Sequence, residues 1–297
     1  MSLRINPNLL PDLLLSIQQS KQNEAVATQQ IATGRSVNQL SDNPSAVATL
    51  VGNHNQAGQD DQFLQNNSSL LARLQTADSA LSSVVQVLTR AIAVGTEGAN
   101  GTLSASDRQA IAGEVQGLLT QLVGLANTTY QGKFLFAGTA VNSQPFTLNP
   151  VTNTVTYNGN SGAAAVQLSN GNSINSNLPG SQLFQNVSGD TFAALQNLNA
   201  SLLSGNNIGA AVGQVQAALS QVSTQRVFYG NALNQINLSD SFLSQDKISL
   251  STQENSLVGA DPAKAASDLA QAQIANQATL SATGRILSLP TLLDFIK

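Results

Sequence analysis

The chain has 297 residues, no cysteine and no tryptophan, and only 9% of its residues are charged. Without cysteine it can form neither disulfides nor thiolate metal sites. A net charge of −4, a pI of about 4.8 and the absence of any Lys/Arg run argue against a nucleic-acid surface, which would be basic.

The first predicted helix covers residues 11–32 and ends at the glycine cap Gly34. Its heptad seam is apolar at both ends. In the middle it carries Lys21, Glu24 and Thr28, where a stable coiled coil would have apolar residues. This helix would bury little alone, so we expect it to need partner helices.

Two further helices precede the middle of the chain. The first begins at the start signal Ser41-Asp42-Asn43-Pro44 and runs to about residue 94, where glycines interrupt the pattern. The second begins after Ser104, which suits an N-cap with Asp107 at the third helical position, and ends near residue 129. Both carry apolar seams.

The hydrophobic period then changes from helical to alternating. Residues 133–138 predict a short strand, and residues 154–157 and 165–168 alternate on either side of Asn158-Gly159. That dipeptide favours a tight hairpin. We therefore predict a small β-rich segment at 141–189, entering and leaving at one end of the helical layer. Its removal is expected to leave the helices intact.

The second half of the chain returns to helices. Asp190 or Thr191 caps a short helix, and a heptad seam then stays in register over residues 207–258. This predicts one continuous helix, whose narrow apolar stripe needs partners along its length. Asp261-Pro262 starts a last, alanine-rich helix over residues 263–288.

The predicted fold class is mainly α: a long-helix coiled-coil bundle built from the N- and C-terminal halves, with a small β-rich domain inserted in the middle. We divide it into a terminal helical domain (1–40 with 262–297), a helical shaft (41–140 with 190–261) and an outer β-rich domain (141–189). The shaft seam is predicted at Leu71, Leu74, Leu81, Leu88, Leu118, Leu122, Leu219, Leu233, Ile236, Leu243 and Leu250.

The two ends of the chain are predicted to be the assembly element and to fold only on assembly. Neither terminal helix buries enough apolar surface to offset the entropy of ordering its backbone. We expect the two helices to pack on each other and on neighbouring copies. The predicted assembly residues are Leu10, Leu14, Ile17, Ile31, Leu269, Ile274, Leu280, Ile286, Leu292, Leu293 and Phe295.

The sequence predicts no catalytic, cofactor or metal site. His54 is the only histidine. The chain therefore cannot build a site from several histidines, and it has only one candidate for the base of a Ser–His pair. We interpret it as an exposed or seam-edge polar residue. No phosphate-binding glycine loop is present. The sequence also lacks an 18-residue apolar stretch and the shape of a signal peptide, so we expect neither a membrane span nor a cleaved leader.

Two segments resemble bacterial flagellin-type proteins. Residues 32–37 (ATGRSV) with Ser41-Asp42-Asn43-Pro44 resemble their "S-T-G-x-x-V/I … S-D-D-P" segment, with Asn43 in place of the common second Asp. Residues 130–139 (YQGKFLFAGT) resemble their "Y-N-G-K-Y-L-F-G/S-G-T" stretch.

Later segments resemble the hook-associated branch of that family. Residues 155–162 and 189–195 are similar to the insert and the exit of that branch. Residues 287–295 (LSLPTLLDF) resemble its "S-L-L-D-Y/F" tail, which Pro290 interrupts here. The resemblance covers nearly the whole chain, and the order and spacing of the segments make it specific.

The resemblance implies a structural subunit of the hook–filament junction, forming a ring that is the base for flagellin polymerisation. The implied partners are further copies of the chain, the neighbouring hook-associated junction protein, flagellin and a cytoplasmic export chaperone, with no nucleic acid and no membrane. It also implies an extracellular location in the flagellum, reached by type III export, with the terminal helices facing the channel. A flagellin with a small outer domain and a non-flagellar coiled-coil adaptor or fibre protein are the alternatives.

Overall fold

The computed structural model describes residues 9–186 and 189–287. The helices in these ranges are α1 (Leu9–Thr33), α2 (Pro44–Gly98), α3 (Ala105–Ala126), α4 (Gly180–Phe184), α5 (Thr191–Ser204), α6 (Ile208–Val258) and α7 (Pro262–Leu287). The strands are β1 (Thr129–Tyr130), β2 (Lys133–Phe134), β3 (Phe146–Leu148), β4 (Val155–Tyr157), β5 (Ala165–Ser169), β6 (Asn172–Asn175), β7 (Gln185–Asn186) and β8 (Gly189–Asp190). The predicted class, mainly α with long helices from both halves and a β-rich middle, is confirmed.

The chain divides into two compact units, and each contains residues from both halves. The first unit comprises Met1–Gly58 and Asp246–Lys297, and the second comprises Gln59–Gln245. Helices α2 and α6 therefore contribute to both units. The segment 141–189 lies inside the second unit together with α3 and α5. The division into three domains stays a prediction.

Helices α2, α3, α5 and α6 share one apolar interior in the second unit. Leu81, Leu88, Leu122, Leu195 and Ile236 come from all four helices and are fully buried. Burying each such side chain contributes roughly 1.5–3 kcal/mol. By length and composition α2 is the one helix of the described residues that could cross a bilayer. Its apolar residues line this interior, which accounts for that composition.

The structure places the predicted shaft-seam residues on inward or partly covered helix faces. Six are buried, namely Leu74, Leu81, Leu88, Leu122, Ile236 and Leu243. The other five are half-buried, namely Leu71, Leu118, Leu219, Leu233 and Leu250. Leu250 belongs to the first unit and the rest belong to the second.

Two glycines of α2 mark a close helix contact. The helix continues to Gly98 instead of ending near residue 94. A Cβ on Gly95 would lie 2.9 Å from Val212 Cγ2, and one on Gly98 would overlap Leu202. Because glycine has no Cβ, α5 and α6 can approach α2 closely here. Gly95 and Gly98 therefore allow α2 to pack closely against α5 and α6, and the prediction that they end the helix was wrong.

The strands form four separate antiparallel pairs: β1–β2, β3–β4, β5–β6 and β7–β8. The predicted hairpin at Asn158-Gly159 is wrong, because β4 pairs with β3 and the Asn158 N–H donates to the Pro145 carbonyl (2.7 Å). The tight turn lies at Asn170-Gly171, between β5 and β6, where Gly171 has a φ of +80°. Of the predicted strand 133–138, only Lys133–Phe134 forms.

An aromatic cluster joins the β-rich segment to the helices. The Phe146 ring centroid lies 5.0 Å from that of Phe192 on α5 and 5.5 Å from that of Phe184. Phe184 in turn lies 5.6 Å from Phe136. All four rings are buried and belong to the same interior as the helices. The expectation that the segment could be removed without loss to the helices therefore conflicts with the packing.

A buried polar group also ties this segment to two helices. Asn67 on α2 has no exposed surface, and its Nδ2 donates to the Leu168 carbonyl on β5 (3.1 Å) and to Asp240 Oδ1 on α6 (2.7 Å). Ser239 Oγ donates to the same carbonyl (3.1 Å). A buried donor or acceptor costs free energy when it is unpaired, so the bonds of Asn67 Nδ2 and of the Leu168 carbonyl favour this register of β5 against α2 and α6.

Replacing Asn67 with alanine is expected to lower the free energy of unfolding by about 1–3 kcal/mol, because Asp240 Oδ1 loses the Asn67 donor and the Leu168 carbonyl keeps only Ser239 Oγ. Urea denaturation followed by circular dichroism measures this loss. Asn66→Ala is the matched control, since Asn66 is the exposed neighbour; a change within about 0.5 kcal/mol is expected there. If both variants lose the same free energy of unfolding, the buried hydrogen bonds of Asn67 do not stabilise the fold.

Candidate assembly site

The candidate site is the pair of helices α1 and α7 in the first unit. Just after α1 and before α7, the Ser36 N–H donates to the Val258 carbonyl (2.7 Å). Farther along, Asn276 Nδ2 donates to Glu24 Oε2 (3.2 Å). The end of α1 therefore lies beside the start of α7, and the two helices run antiparallel.

Small side chains form the buried seam of this pair. Ser20 and Ala27 on α1, and Ala265 and Ala272 on α7, are buried. No large apolar side chain on the described parts of these two helices is buried. Because stabilisation scales with the apolar area removed from water, the pair gains little from its own contact.

The register of α1 differs from the predicted seam. Lys21 and Thr28, which were placed in the seam, are exposed, and Ser20 and Ala27, one position earlier, are buried instead. Small residues let the two backbones approach closely, so burial here follows side-chain size as well as apolar character. The predicted seam of α1 is therefore wrong by one position at Lys21 and Thr28, whereas Glu24 is half-buried and bonded to Asn276 across the pair.

Large apolar side chains of α1 and α7 are exposed. Of the predicted assembly residues, these are Leu14, Ile31, Ile274 and Leu280, with exposed fractions of 66%, 45%, 68% and 52%. Ile17 and Leu269 are half-buried along the pair. The side chains of Leu10 and Ile286, and the residues Leu292, Leu293 and Phe295, lie outside the described part of the chain.

Sequence reasoning missed two exposed apolar residues on α1. Leu15 and Val26 are 65% and 47% exposed and lie eleven residues apart, which is about three helical turns. They therefore share a face beside the seam, and Val26 lines the same groove as Ser20 and Ala27. Leu15 and Val26 repeat at the helical period outside the predicted seam, and a second apolar stripe at that period is the sequence signal for them.

The connection between α1 and α2 is held by side chains that accept backbone hydrogen bonds. Asp42 Oδ2 accepts the N–H groups of Asn38 and Gln39, both at 2.9 Å. Asn43 Oδ1 accepts the Ala46 N–H (3.1 Å) at the start of α2. The bonds from Asn38 and then Gln39 lower the pKa of Asp42, because they favour the charged carboxylate.

This shift makes the connection sensitive to acid. A carboxyl with a lowered folded-state pKa stabilises the fold above its ordinary pKa, and that contribution is lost as the pH falls through the lowered value. We expect Asp42→Asn to lower the thermal midpoint at neutral pH, and the difference from the parent to shrink below about pH 4. Thermal melts of both proteins across this range measure it.

The control for that experiment is Asp268→Asn, which removes one negative charge from an exposed position on α7. A difference between Asp42→Asn and the parent that stayed constant into acid would show that the carboxylate form of Asp42 is not what holds the connection.

The described residues hold no group of three His, Cys, Asp or Glu side chains that could bind a metal ion. His54, expected at an exposed or seam-edge position, is on α2 with a side chain 59% exposed, and its Nε2 lies 3.2 Å from Glu254 Oε2. The first unit has large exposed apolar side chains on a helix pair whose own seam is made of small residues, and such a surface suits association.

Two family models match the chain, one at each end. The bacterial flagellin N-terminal helical region matches residues 8–141, and the bacterial flagellin C-terminal helical region matches residues 212–296. The candidate site is built from both matched regions, since α1 lies in the first and α7 lies in the second.

Relatives of this chain include two kinds of flagellar protein. Flagellar hook-associated protein 3 of Salmonella typhimurium is 26% identical over 277 residues, covering 84% of this chain and 86% of that protein. The flagellin of Listeria innocua is 24% identical over 301 residues, covering 98% of each. The solved structure of the flagellar junction protein FlgL from Legionella pneumophila has a TM-score of 0.62 at 15% identity, covering 71% of this chain and 100% of that one. With both of its helical ends matched, the chain belongs to the bacterial flagellin family.

Proposed function

We propose that this chain is a structural subunit of the bacterial flagellum that forms the junction ring between hook and filament. Its partners are further copies of itself, the neighbouring hook-associated junction protein and flagellin, with an export chaperone in the cytoplasm. The hook-associated relative, matched over 84% of the chain, supports the junction role. The flagellum is an extracellular appendage, which the subunit reaches by type III export without a cleaved signal peptide.

The observation that carries the proposal is the mismatch between the two faces of the α1–α7 pair. Alanine and serine fill the seam, while Leu14, Leu15 and Ile274 are about two-thirds exposed. Large apolar side chains that stay exposed along a helix pair with a seam of small residues indicate an interaction surface. A groove of about 480 Å³ follows the seam beside Ala27 and Ala272 and is open to side chains of another helix. Copies of the pair packed side by side would cover these residues.

The same observation favours the layered arrangement expected for the family. In it, the terminal domain (1–40 with 262–297) faces the central channel, the shaft (41–140 with 190–261) surrounds it, and the β-rich part (141–189) lies outside. The terminal residues would then be the contacts between subunits, and the shaft seam the contacts within each subunit. Structural packing, with no chemical reaction, is the whole of the proposed activity.

A filament subunit is the second candidate, and the flagellin of Listeria innocua, which matches over 98% of the chain, favours it. Immunogold labelling of intact flagella with antibody against this chain separates the two. The junction role predicts label at one position, at the base of the filament. Label along the filament would show a flagellin, and flagella without label would contradict both candidates.

A further inference from the structure

The β-rich segment contains the same four residues twice. Asn-Gly-Asn-Ser occurs at 158–161 and again at 170–173, whereas a third Asn-Gly, at 100–101, is followed by other residues. Asn158 follows β4, and Asn170 lies in the turn between β5 and β6. Both asparagines are exposed, so contact with water does not distinguish them. Because the local sequence is the same, a chemical difference between the two copies must come from the fold.

An asparagine that is followed by glycine can lose its side-chain amide without an enzyme. The glycine nitrogen gives up its proton and bonds to the asparagine Cγ, the Cγ–Nδ2 bond breaks, and ammonia leaves with that proton. The cyclic imide then takes up one water, which opens it to aspartate or to isoaspartate linked through the side chain. Glycine favours the first step because it has no side chain to hinder the approach. The side chain and the following peptide must both be free to rotate.

The fold restrains the first copy at both of its residues. The Asn158 N–H donates to the Pro145 carbonyl (2.7 Å), and Asn158 Nδ2 donates to Thr147 Oγ1 on β3 (3.1 Å). Gly159 is enclosed as well, since a Cβ there would lie 2.8 Å from the Ala137 carbonyl oxygen. Rotation of this dipeptide therefore requires hydrogen bonds and packing to be broken together.

The second copy has no such restraint. The side chain of Asn170 has no hydrogen-bond partner among the described residues. A Cβ on Gly171 would meet nothing within 4 Å, so the space beside this peptide is open. An exposed turn also opens locally at a lower free energy than the packed interior does. The fold therefore leaves the reacting atoms of Asn170 and Gly171 free to meet.

We propose that Asn170 is a site of spontaneous deamidation in the folded protein, and that the contacts of Asn158 protect the same sequence there. The modification belongs to the single chain and does not depend on the proposed function. Aspartate at residue 170 adds a negative charge to the hairpin. Isoaspartate adds one atom to the main chain of the turn, which works against the register in which Ser169 pairs with Asn172.

Incubation of the full chain in heavy-oxygen water at mildly alkaline pH tests the proposal, because opening of the imide leaves one solvent oxygen on the modified residue. Chymotrypsin, cutting after Tyr157 and Leu168, places the two dipeptides in different peptides for mass spectrometry. Digestion in ordinary water leaves any later deamidation unlabelled. We expect the label on residue 170 to appear severalfold faster than on residue 158, partly as isoaspartate. Equal rates, or a faster rate at residue 158, would overturn the proposal.

The same incubation in urea is the control for local sequence. Without the fold, the two copies should take up the label at similar rates. If residue 170 remains severalfold faster in urea, its sequence neighbours and not the fold cause the difference. If both copies react in urea and neither reacts in the folded chain, the hairpin turn protects Asn170 and the proposal is wrong.

Thr147→Val tests the protection of the first copy. It removes the hydroxyl that accepts the Asn158 hydrogen bond and keeps a β-branched side chain, which suits a strand. We expect faster labelling at residue 158 and an unchanged rate at residue 170, with far-UV circular dichroism as the check on folding. An unchanged rate at residue 158, or an equal rise at both residues, would show that the Thr147 bond does not specifically protect Asn158.

Discussion

Replacing Phe146 with alanine is expected to lower the free energy of unfolding by about 3–5 kcal/mol. Phe146 is fully buried, and its ring centroid lies 5.0 Å from those of Tyr157 and Phe192 and 5.5 Å from that of Phe184. Truncation would open a cavity where the β-rich segment meets α5. Because Phe192 is part of the helical interior, loss of this contact should destabilise the helices too. Urea unfolding followed by far-UV circular dichroism reports on them.

Phe242→Ala makes the same chemical change at an exposed position. Phe242 is 64% exposed on α6, so its truncation is expected to change the free energy by no more than about 0.5 kcal/mol. The comparison therefore separates the free-energy effect of burial from the effect of losing a phenyl group. If Phe146→Ala is no more destabilising than Phe242→Ala, the helices do not depend on the β-rich segment, and the sequence-based expectation of a separable insert is right.

The helices were predictable from the sequence because their signals are local. Asp190 caps α5 by accepting the N–H groups of Phe192 and Ala193, both at 2.9 Å. Ser104 and Asp107 form the reciprocal capping box expected at the start of α3. Each of these bonds joins residues within one turn, so residue type and spacing suffice to predict it.

Strand pairing was not predictable in the same way. The β-rich segment contains Asn-Gly at both 158–159 and 170–171, and only the second is a tight hairpin turn. The residues before the first form β4, which pairs with β3 because Phe146 and Tyr157 lie opposite each other against the aromatic cluster. The two Asn-Gly dipeptides give the same local signal. Contacts with residues outside each dipeptide's own neighbourhood therefore decide which of them becomes the hairpin turn.

Only part of the candidate site could be predicted from the sequence. Leu14 and Ile274 could be predicted as assembly residues because they are large apolar residues on helices that are otherwise polar or alanine-rich. The buried positions of Ser20 and Ala27 depend on how closely α7 approaches, which the sequence of α1 does not contain. The ion pair between Glu254 and Arg35 likewise joins residues from opposite ends of the chain, so residue spacing could not predict it.

Replacing Ile274 with glutamate is expected to abolish incorporation into flagella while leaving the isolated chain folded. Ile274 is 68% exposed and lies two residues from the buried Ala272, about 200° around α7, so it faces away from α1. A charge at that place meets water in the monomer but becomes buried in a packed ring. Burial of an unpaired charge costs several kcal/mol, and each 1.4 kcal/mol weakens association about tenfold.

Complementation of a strain that lacks this chain measures the effect, with thermal melts of the purified variant as the check on folding. Gln277→Glu is the matched control, because it adds the same charge at an exposed position one turn along α7 without removing an apolar side chain. We expect it to assemble, as Ile274→Leu should. If Ile274→Glu assembles as the parent does, the exposed face of α7 is not a subunit contact. If its melting midpoint falls by many degrees, Ile274 stabilises the single chain and belongs to its fold.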